Sequence, residues 1–125
     1  MAPGMLGAIT IQGRPEEVAT ARWFVARVLR EHPHADTAVL LTSEAVTNAV
    51  VHTASGDGGT VSVRLTEGSG GLRVEIADDG GPTIPTPRLA DQFSEGSRGL
   101  FLIAELAVRS GYTPTGRGGM YWFEL

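Results

Sequence analysis

The most restrictive feature of the sequence is a pair of short segments in which apolar and polar residues alternate, joined by a glycine-rich turn. Alternate positions are apolar in both segments: Val61, Val63 and Leu65, then Leu72, Val74 and Ile76. A period of two predicts strands with one apolar face. The turn at Gly68–Gly71 predicts that the two strands form a hairpin. A sheet built from such strands must cover its apolar face with a second layer.

Two helical segments before the hairpin can supply that layer. Pro15 is well placed in the first turn of a helix that extends to Arg30, and Asp36 is expected to be the N-cap of a second helix ending near His52. Trp23, on the first helix, is expected to be half-buried in the core. The apolar positions are Val18, Ala21, Val25, Val28 and Leu29 on the first helix, and Val39, Leu40, Ala45, Val46, Ala49 and Val50 on the second.

The remaining elements complete an α+β pattern. A short strand at Ile9–Ile11 precedes the helices, and Gly99–Ala107 predicts a short apolar helix. A strand at Val108–Tyr112, a turn at Thr113–Gly119 and a closing strand at Met120–Leu125 follow. Strands in hairpins and helices grouped apart predict a two-layer α/β sandwich, a mostly antiparallel sheet with helices on one face. The 125 residues suffice for one domain, residues 1–125.

Composition excludes several function classes. The net charge of −4 argues against nucleic-acid binding, which needs clustered positive charge. There is no Cys, and all ten basic residues are Arg, which excludes thiolate metal sites and phosphate loops that require Lys. His32 and His34 flank Pro33 in an expected solvated loop. No apolar run is long enough to cross a membrane and Met1–Thr10 has no targeting signal, so a cytoplasmic location is expected.

A polar stripe interrupts the second helix. Glu44, Asn48 and His52 are spaced by four, which puts them on one side of the helix. The stripe forms an internal hydrogen-bond network, faces solvent, or lines a cleft. In a cleft, Glu44 acts as a base or orients water, and Asn48 supplies an oxygen ligand to Mg²⁺.

Two further segments suggest a ligand site. Asp78 directly follows the second strand of the hairpin and is either part of an acidic turn or an acceptor for an exocyclic amine such as that of adenine; Asp79 is expected to be a solvated turn residue. Residues 78–96 contain little periodicity and are expected to form a lid-like loop that is functional or mobile. At residues 96–100, glycines next to a helix start either form a flexible entry to a core helix or allow backbone N–H groups to approach phosphate, with Arg98 as a further contact.

Taken in order, these segments resemble the histidine-kinase-like ATPase superfamily, and among its members the anti-sigma factor serine/threonine kinases of bacteria. The resemblance covers nearly the whole chain. It rests on four stretches, residues 41–52, 74–80, 96–103 and 118–125, which read LTSEAVTNAVVH, VEIADDG, GSRGLFLI and GGMYWFEL.

The resemblance implies a Bergerat-type ATP-binding fold and a role for each matched residue. Glu44 is the catalytic base, Asn48 holds Mg²⁺, and Asp78 reads adenine. ATP and Mg²⁺ are the implied cofactors. The remaining implied contributors to nucleotide binding are His52, Gly80, Gly96, Arg98, Gly99 and Leu100.

Three positions depart from the family pattern. Pro82 and Phe101 stand where a glycine is common. Met120 stands where a Thr commonly follows the late glycines and hydrogen-bonds near the aspartate that reads adenine.

The resemblance also implies partners: a sigma factor and a sigma-antagonist (STAS-type) protein whose Ser or Thr is phosphorylated. The alternative is a catalytically weak or inactive module of the same fold that regulates transcription by sequestration. A detached sensor-kinase domain is a third reading, with no dimerisation helix carrying a phospho-accepting His before it. The first helix and early strand are natural surfaces for a homodimer, and Arg22, Trp23 and Arg27 for a partner.

Overall fold

The computed structural model describes residues 4–52, 58–68, 70–79, 102–116 and 118–125. In this part of the chain the strands are β1 (Met5–Gln12), β2 (Thr60–Gly68), β3 (Gly71–Asp78), β4 (Arg109–Thr115) and β5 (Gly118–Glu124). The longer helices are α1 (Val18–Val28), preceded by a 3₁₀ turn at Pro15–Glu17, and α2 (Ala35–His52). Residues 102–106 are also helical. None of the helices in these ranges is long and apolar enough to cross a membrane.

The strands form one sheet in the order β1-β2-β3-β5-β4, and every neighbouring pair is antiparallel. Helices α1 and α2 pack against each other and cover one face, with α1 contacting β1 and α2 contacting β2 and β3. The predicted α+β fold is therefore confirmed. Pro114 lies in β4, at one edge of the described sheet, where its missing N–H removes no bond from an interior strand.

The core lies between the helices and the apolar face of the sheet. The alternating residues of β2 and β3 that define the predicted hairpin are all buried there. From the helices, Ala21, Val25, Leu41 and Val46 are fully buried against them. Complete burial of a side chain the size of Leu or Ile stabilises a fold by roughly 1.5–3 kcal/mol. This packing fixes α2 over the central strands.

The outer face of the sheet carries a ladder of charges. Arg73 contacts Glu75 at 2.9 Å and Glu124 at 3.1 Å, and Arg109 also pairs with Glu124. The guanidinium of Arg73 lies 4.3 Å from the ring centroid of Trp122. These contacts pair the charges on the outer surface of three neighbouring strands, with the Trp122 ring packed against one of the arginines.

Two helix expectations are wrong in detail. Trp23 is 62% exposed rather than half-buried in the core, because it follows the buried Ala21 by two positions and so projects away from the sheet. The second helix begins at Ala35, so Asp36 lies in its first turn rather than at the N-cap. There its negative charge still favours the positive end of the helix.

The predicted turn before the last strand is also wrong. The structure continues β4 to Thr115 and starts β5 at Gly118, so the connection is shorter than Thr113–Gly119. Thr115 pairs with Gly118, and Gly116 has a positive φ of 58°. Proline and glycine in this segment suggested a long turn, but cross-strand pairing determines the outcome.

The connection between α1 and α2 is fastened to the sheet. The Nε2 atom of His32 lies 2.8 Å from the Glu67 carboxylate near the end of β2, and Nδ1 of His32 accepts a hydrogen bond from the His34 backbone N–H at 3.1 Å. The predicted solvated loop is thus held by a side-chain contact. In the described ranges, no cluster of three acidic, His or Cys residues could hold a metal.

The β2–β3 hairpin depends on one glycine conformation. Gly71 has a φ of 95°, and a Cβ atom there would lie 2.7 Å from the Leu125 carbonyl oxygen. Gly68 has open space around it and pairs with Gly71. A side chain would therefore be crowded at Gly71 but not at Gly68.

We expect Gly71→Ala to lower the free energy of unfolding by ~2 kcal/mol, because L residues are strained at positive φ. Gly68→Ala, the matched control, should change it by less than ~0.5 kcal/mol. Urea unfolding followed by circular dichroism measures both. Equal losses in the two variants would contradict this account of the turn.

Candidate functional site

The candidate site lies at the end of β3, on the sheet face that the helices cover. Asp78 follows the buried Val74 and Ile76 at the same alternation, so it shares their face of the strand. Across the sheet it pairs with Gly119 of β5. The acidic side chain is half-buried rather than placed on the solvated outer face.

Two glycines at the start of β5 allow a close approach beside Asp78. A Cβ atom on Gly118 would overlap the backbone carbonyl of Asp78, and one on Gly119 would overlap the hydroxyl end of Tyr112. Tyr112 belongs to β4 and pairs with Tyr121, which is buried on the same face. Asp78, Gly119 and Tyr112 therefore form a continuous floor across three neighbouring strands.

Helix α2 supplies polar groups on the same side of the sheet. Asn48 is 6% exposed, and Glu44, one helical turn earlier, is half-buried. The four-residue separation corresponds to a rise of about 6 Å along the helix. Within the described part of the chain, neither side chain forms a hydrogen bond or ion pair.

This arrangement fits a hydrated Mg²⁺ ion. A buried amide without a protein partner is costly unless a ligand or water satisfies it. Mg²⁺ prefers oxygen ligands, keeps several waters and usually takes only one or two protein ligands together with substrate phosphates. The Asn48 amide oxygen, with Glu44 a turn away, matches that requirement without a cluster of carboxylates.

Asp79 has a different role from its neighbour. Its Oδ2 atom accepts a hydrogen bond from the Thr60 backbone N–H at 2.7 Å. Asp79 is exposed, as a turn residue should be, but it ties the end of β3 to the start of β2. The two adjacent aspartates therefore differ: Asp79 bonds to the backbone of Thr60, and Asp78 forms part of the floor of the site.

The electrostatic environment of Tyr112 reflects this geometry. Burial raises the pKa of its phenol, and the negative charge of Asp78 raises it further. The phenol consequently stays protonated, and able to donate a hydrogen bond, throughout the neutral pH range.

Several predicted contributors lie outside the described residues. These are the side chain of His52 and the residues Gly80, Gly96, Arg98, Gly99 and Leu100. The segment 82–95, with Pro82, and Phe101 lie outside them as well. The structure brings together Glu44, Asn48 and Asp78 on one side of the sheet.

The departure at Met120 has a structural explanation. Met120 pairs with Ala77 and Thr113, and strand alternation puts it on the outer face of the sheet, away from Asp78. The position beside Asp78 on the helix-covered face is Gly119. The sequence did not predict the place of Tyr112 or the steric role of Gly118 and Gly119. The position of the two glycines at the start of the last strand was the feature that could have indicated this role.

Comparison with protein-family models matches residues 11–122 to the family described as histidine kinase-like ATPase domain. The matched range extends from β1 into β5 and includes Glu44, Asn48 and Asp78. A search of curated proteins finds no match.

Asn48 should contribute little to folding if it is kept for a ligand. We expect Asn48→Leu, in the absence of ligand, to leave the free energy of unfolding unchanged or to raise it by about 1 kcal/mol, because an apolar group of similar size suits a position that is only 6% exposed and whose amide bonds to no described residue.

Thr42→Val is the matched control for this substitution. It removes the Thr42 hydroxyl, which is buried in α2 without a partner in the described residues, and should stabilise the fold similarly. Chemical denaturation measures both variants. A loss above ~2 kcal/mol for Asn48→Leu alone would show that the amide supports the fold.

Proposed function

The chain belongs to the histidine kinase-like ATPase domain family, an ATP-binding family, and on that premise we propose that it is an anti-sigma-factor-like regulator that transfers phosphate from ATP to a Ser or Thr of an antagonist protein. The observation that carries the proposal is that Asp78, on the helix-covered face of β3, lies on the same side of the sheet as Asn48 and Glu44 of α2, the helix that packs on β3.

Asp78 is proposed to recognise the base. Its carboxylate accepts a hydrogen bond from the exocyclic amine of adenine, and its half-buried position strengthens that bond relative to one in water. Gly118 and Gly119 have no side chain, which lets the Asp78 backbone and the Tyr112 hydroxyl approach the start of β5 closely beside this carboxylate. A base without the amine loses this contact.

Asn48 and Glu44 are proposed to act at the phosphates. The Asn48 amide oxygen is the protein ligand for Mg²⁺, which when bound with ATP neutralises charge on the transferred group. Glu44 accepts the proton of the attacking hydroxyl. The hydroxyl oxygen then bonds to the γ-phosphorus, the bond from that phosphorus to the bridging oxygen breaks, and ADP leaves.

The resemblance to the family implies the roles of the other residues of the site. Gly80 shapes the pocket, and His52 lines it or supports the helix end. Backbone N–H groups at Gly96, Gly99 and Leu100, with the Arg98 guanidinium, contact the phosphates.

Calorimetry with ATP and Mg²⁺ tests the nucleotide site. We expect Asp78→Asn to weaken ATP binding at least tenfold, about 1.4 kcal/mol. Asp79→Asn should leave affinity within about twofold, since that carboxylate holds Thr60.

Glu44→Ala should bind ATP normally yet transfer no phosphate to a candidate antagonist. Wild-type protein that binds no ATP would exclude the kinase, and unimpaired transfer by Glu44→Ala would exclude Glu44 as base.

A second candidate function is a partner-binding module, and a specific surface favours it. Trp23 is 62% exposed on α1, and the Arg27 guanidinium lies 5.0 Å from its ring centroid. Exposed Trp and Arg side chains are enriched among residues that dominate binding energy at protein interfaces. This patch stands on the outer side of the helix layer, on the opposite side of α1 from the sheet.

Charge indicates the kind of partner. Arg22, Arg27 and Arg30 are all exposed on or just after α1, whereas the whole chain carries a net charge of −4. Beside Arg22, a groove of about 290 Å³ between α1 and α2 exposes Val51. The patch therefore complements a protein segment with acidic residues and an aliphatic side chain. We propose that such a segment of a sigma factor or antagonist binds this patch.

Trp23→Ala should weaken binding of a purified sigma factor or antagonist partner at least tenfold, by removing a large desolvated contact, and leave ATP affinity unchanged. Arg64→Ala, which removes a half-exposed arginine from the opposite face of the sheet, is the control. Titration by biolayer interferometry measures both. Equal affinities for wild type and Trp23→Ala would contradict the surface. An isolated chain that sediments as a dimer, and as a monomer after the substitution, would assign the patch to self-association instead.

A further inference from the structure

The β4–β5 hairpin places a phenol hydroxyl at the floor of the nucleotide site. The hydroxyl end of Tyr112 occupies the space that a Cβ atom on Gly119 would fill. Gly119 is the direct cross-strand partner of Asp78. Tyr112 therefore reaches diagonally across β5 toward the strand that carries the carboxylate.

Packing alone explains the ring but not its hydroxyl. An aromatic side chain over a cross-strand glycine compensates for the missing side chain. The same hairpin contains a second such pair on the outer face, where Trp122 lies over Gly111, with a Cβ position 2.8 Å from the indole ring. A Phe at 112 would cover Gly119 equally well. Tyr112 keeps a polar group in a half-buried position, which needs a polar environment.

Asp78 supplies that environment. The carboxylate shares the helix-covered face with the phenol, one strand beyond Gly119, and its negative charge raises the pKa of Tyr112. Two oxygens of a carboxylate offer about four acceptor sites, so one donor from the protein leaves others for a ligand. A fixed donor also orients the carboxylate, which lowers the entropy lost when a base binds.

We propose that Tyr112 is a positioning residue of the base site: its hydroxyl donates toward Asp78, directly or through one water, and orients the carboxylate for the exocyclic amine of adenine. The inference rests on the proposed ATP site and adds to it the group that sets selectivity for the base. In this arrangement the hydroxyl comes from β4 and enters the site through the gap that Gly119 leaves.

Tyr112→Phe tests the hydroxyl alone, because the ring over Gly119 is kept. We expect a three- to tenfold loss of ATP affinity, the range of one neutral hydrogen bond. Inosine triphosphate, which lacks the exocyclic amine, should bind the variant and the wild type equally, so that the ATP-to-ITP preference falls. The thermal unfolding midpoint should not change.

Tyr121→Phe is the matched control. It removes a phenol hydroxyl from the paired residue on β5, where the hydroxyl bonds to Ser110 instead. This variant should retain the wild-type preference for ATP over ITP even where the lost Ser110 contact lowers its unfolding midpoint.

A measurement without nucleotide separates this inference from the proposed function. Carbon-13 NMR titration should give Asp78 a higher pKa in Tyr112→Phe than in wild type, because a donor to the carboxylate is lost. Wild type that binds ATP, with unchanged preference in Tyr112→Phe and an unchanged Asp78 titration, overturns the role of Tyr112 alone. Wild type that binds neither nucleotide overturns the proposed function and this inference together.

Discussion

The structure depends on the packing of α2 against the apolar face of the central strands. Alternation in β2 and β3 makes one face of the sheet apolar, and that face must be covered. Leu41, Ala45 and Val46 of α2 are buried within the core that results. The same packing holds the polar stripe of the helix on the side of the sheet that carries Asp78. Because Asn48 is nearly completely buried among apolar neighbours, its position is set by the core and not by flexible contacts of its own. A core that only folds the chain would have no need for an amide there.

Elements with strong periodicity were predictable from the sequence. The alternating strands β2 and β3, the turn at Gly68–Gly71 and the long second helix all follow from local patterns, and the structure confirms them. Local patterns failed where cross-strand pairing decides the conformation. Glycine and proline at residues 113–119 indicated a long turn, yet pairing between β4 and β5 extends both strands into it. Trp23 was misplaced because a large aromatic residue is usually buried, whereas the short buried stripe of α1 is already filled by small and branched side chains.

The site was predictable to the extent that it consists of motifs. Glu44, Asn48 and Asp78 could be proposed from the sequence because each stands at a defined place on a predicted helix or strand. The sequence indicated different roles for Asp78 and Asp79, but it did not indicate the hydrogen bond between Asp79 and Thr60, which joins the ends of two strands. Tyr112 carried no signal of its own, because its relation to Gly119 and Asp78 exists only once β3, β5 and β4 are aligned in register. The spacing of residues along the chain does not reveal which residues the sheet register will bring together.

The two aromatic–glycine pairs of the last hairpin have a consequence for how the chain finds its structure. Tyr112 lies over Gly119 on one face, and Trp122 lies over Gly111 on the other. A slip of one residue would turn the side chains of one strand to the opposite face. Trp122 would then lie opposite Ser110 or Tyr112, which carry Cβ atoms, instead of opposite Gly111. The pairs thus disfavour a misaligned hairpin relative to the native register, in which the floor beside Asp78 is assembled.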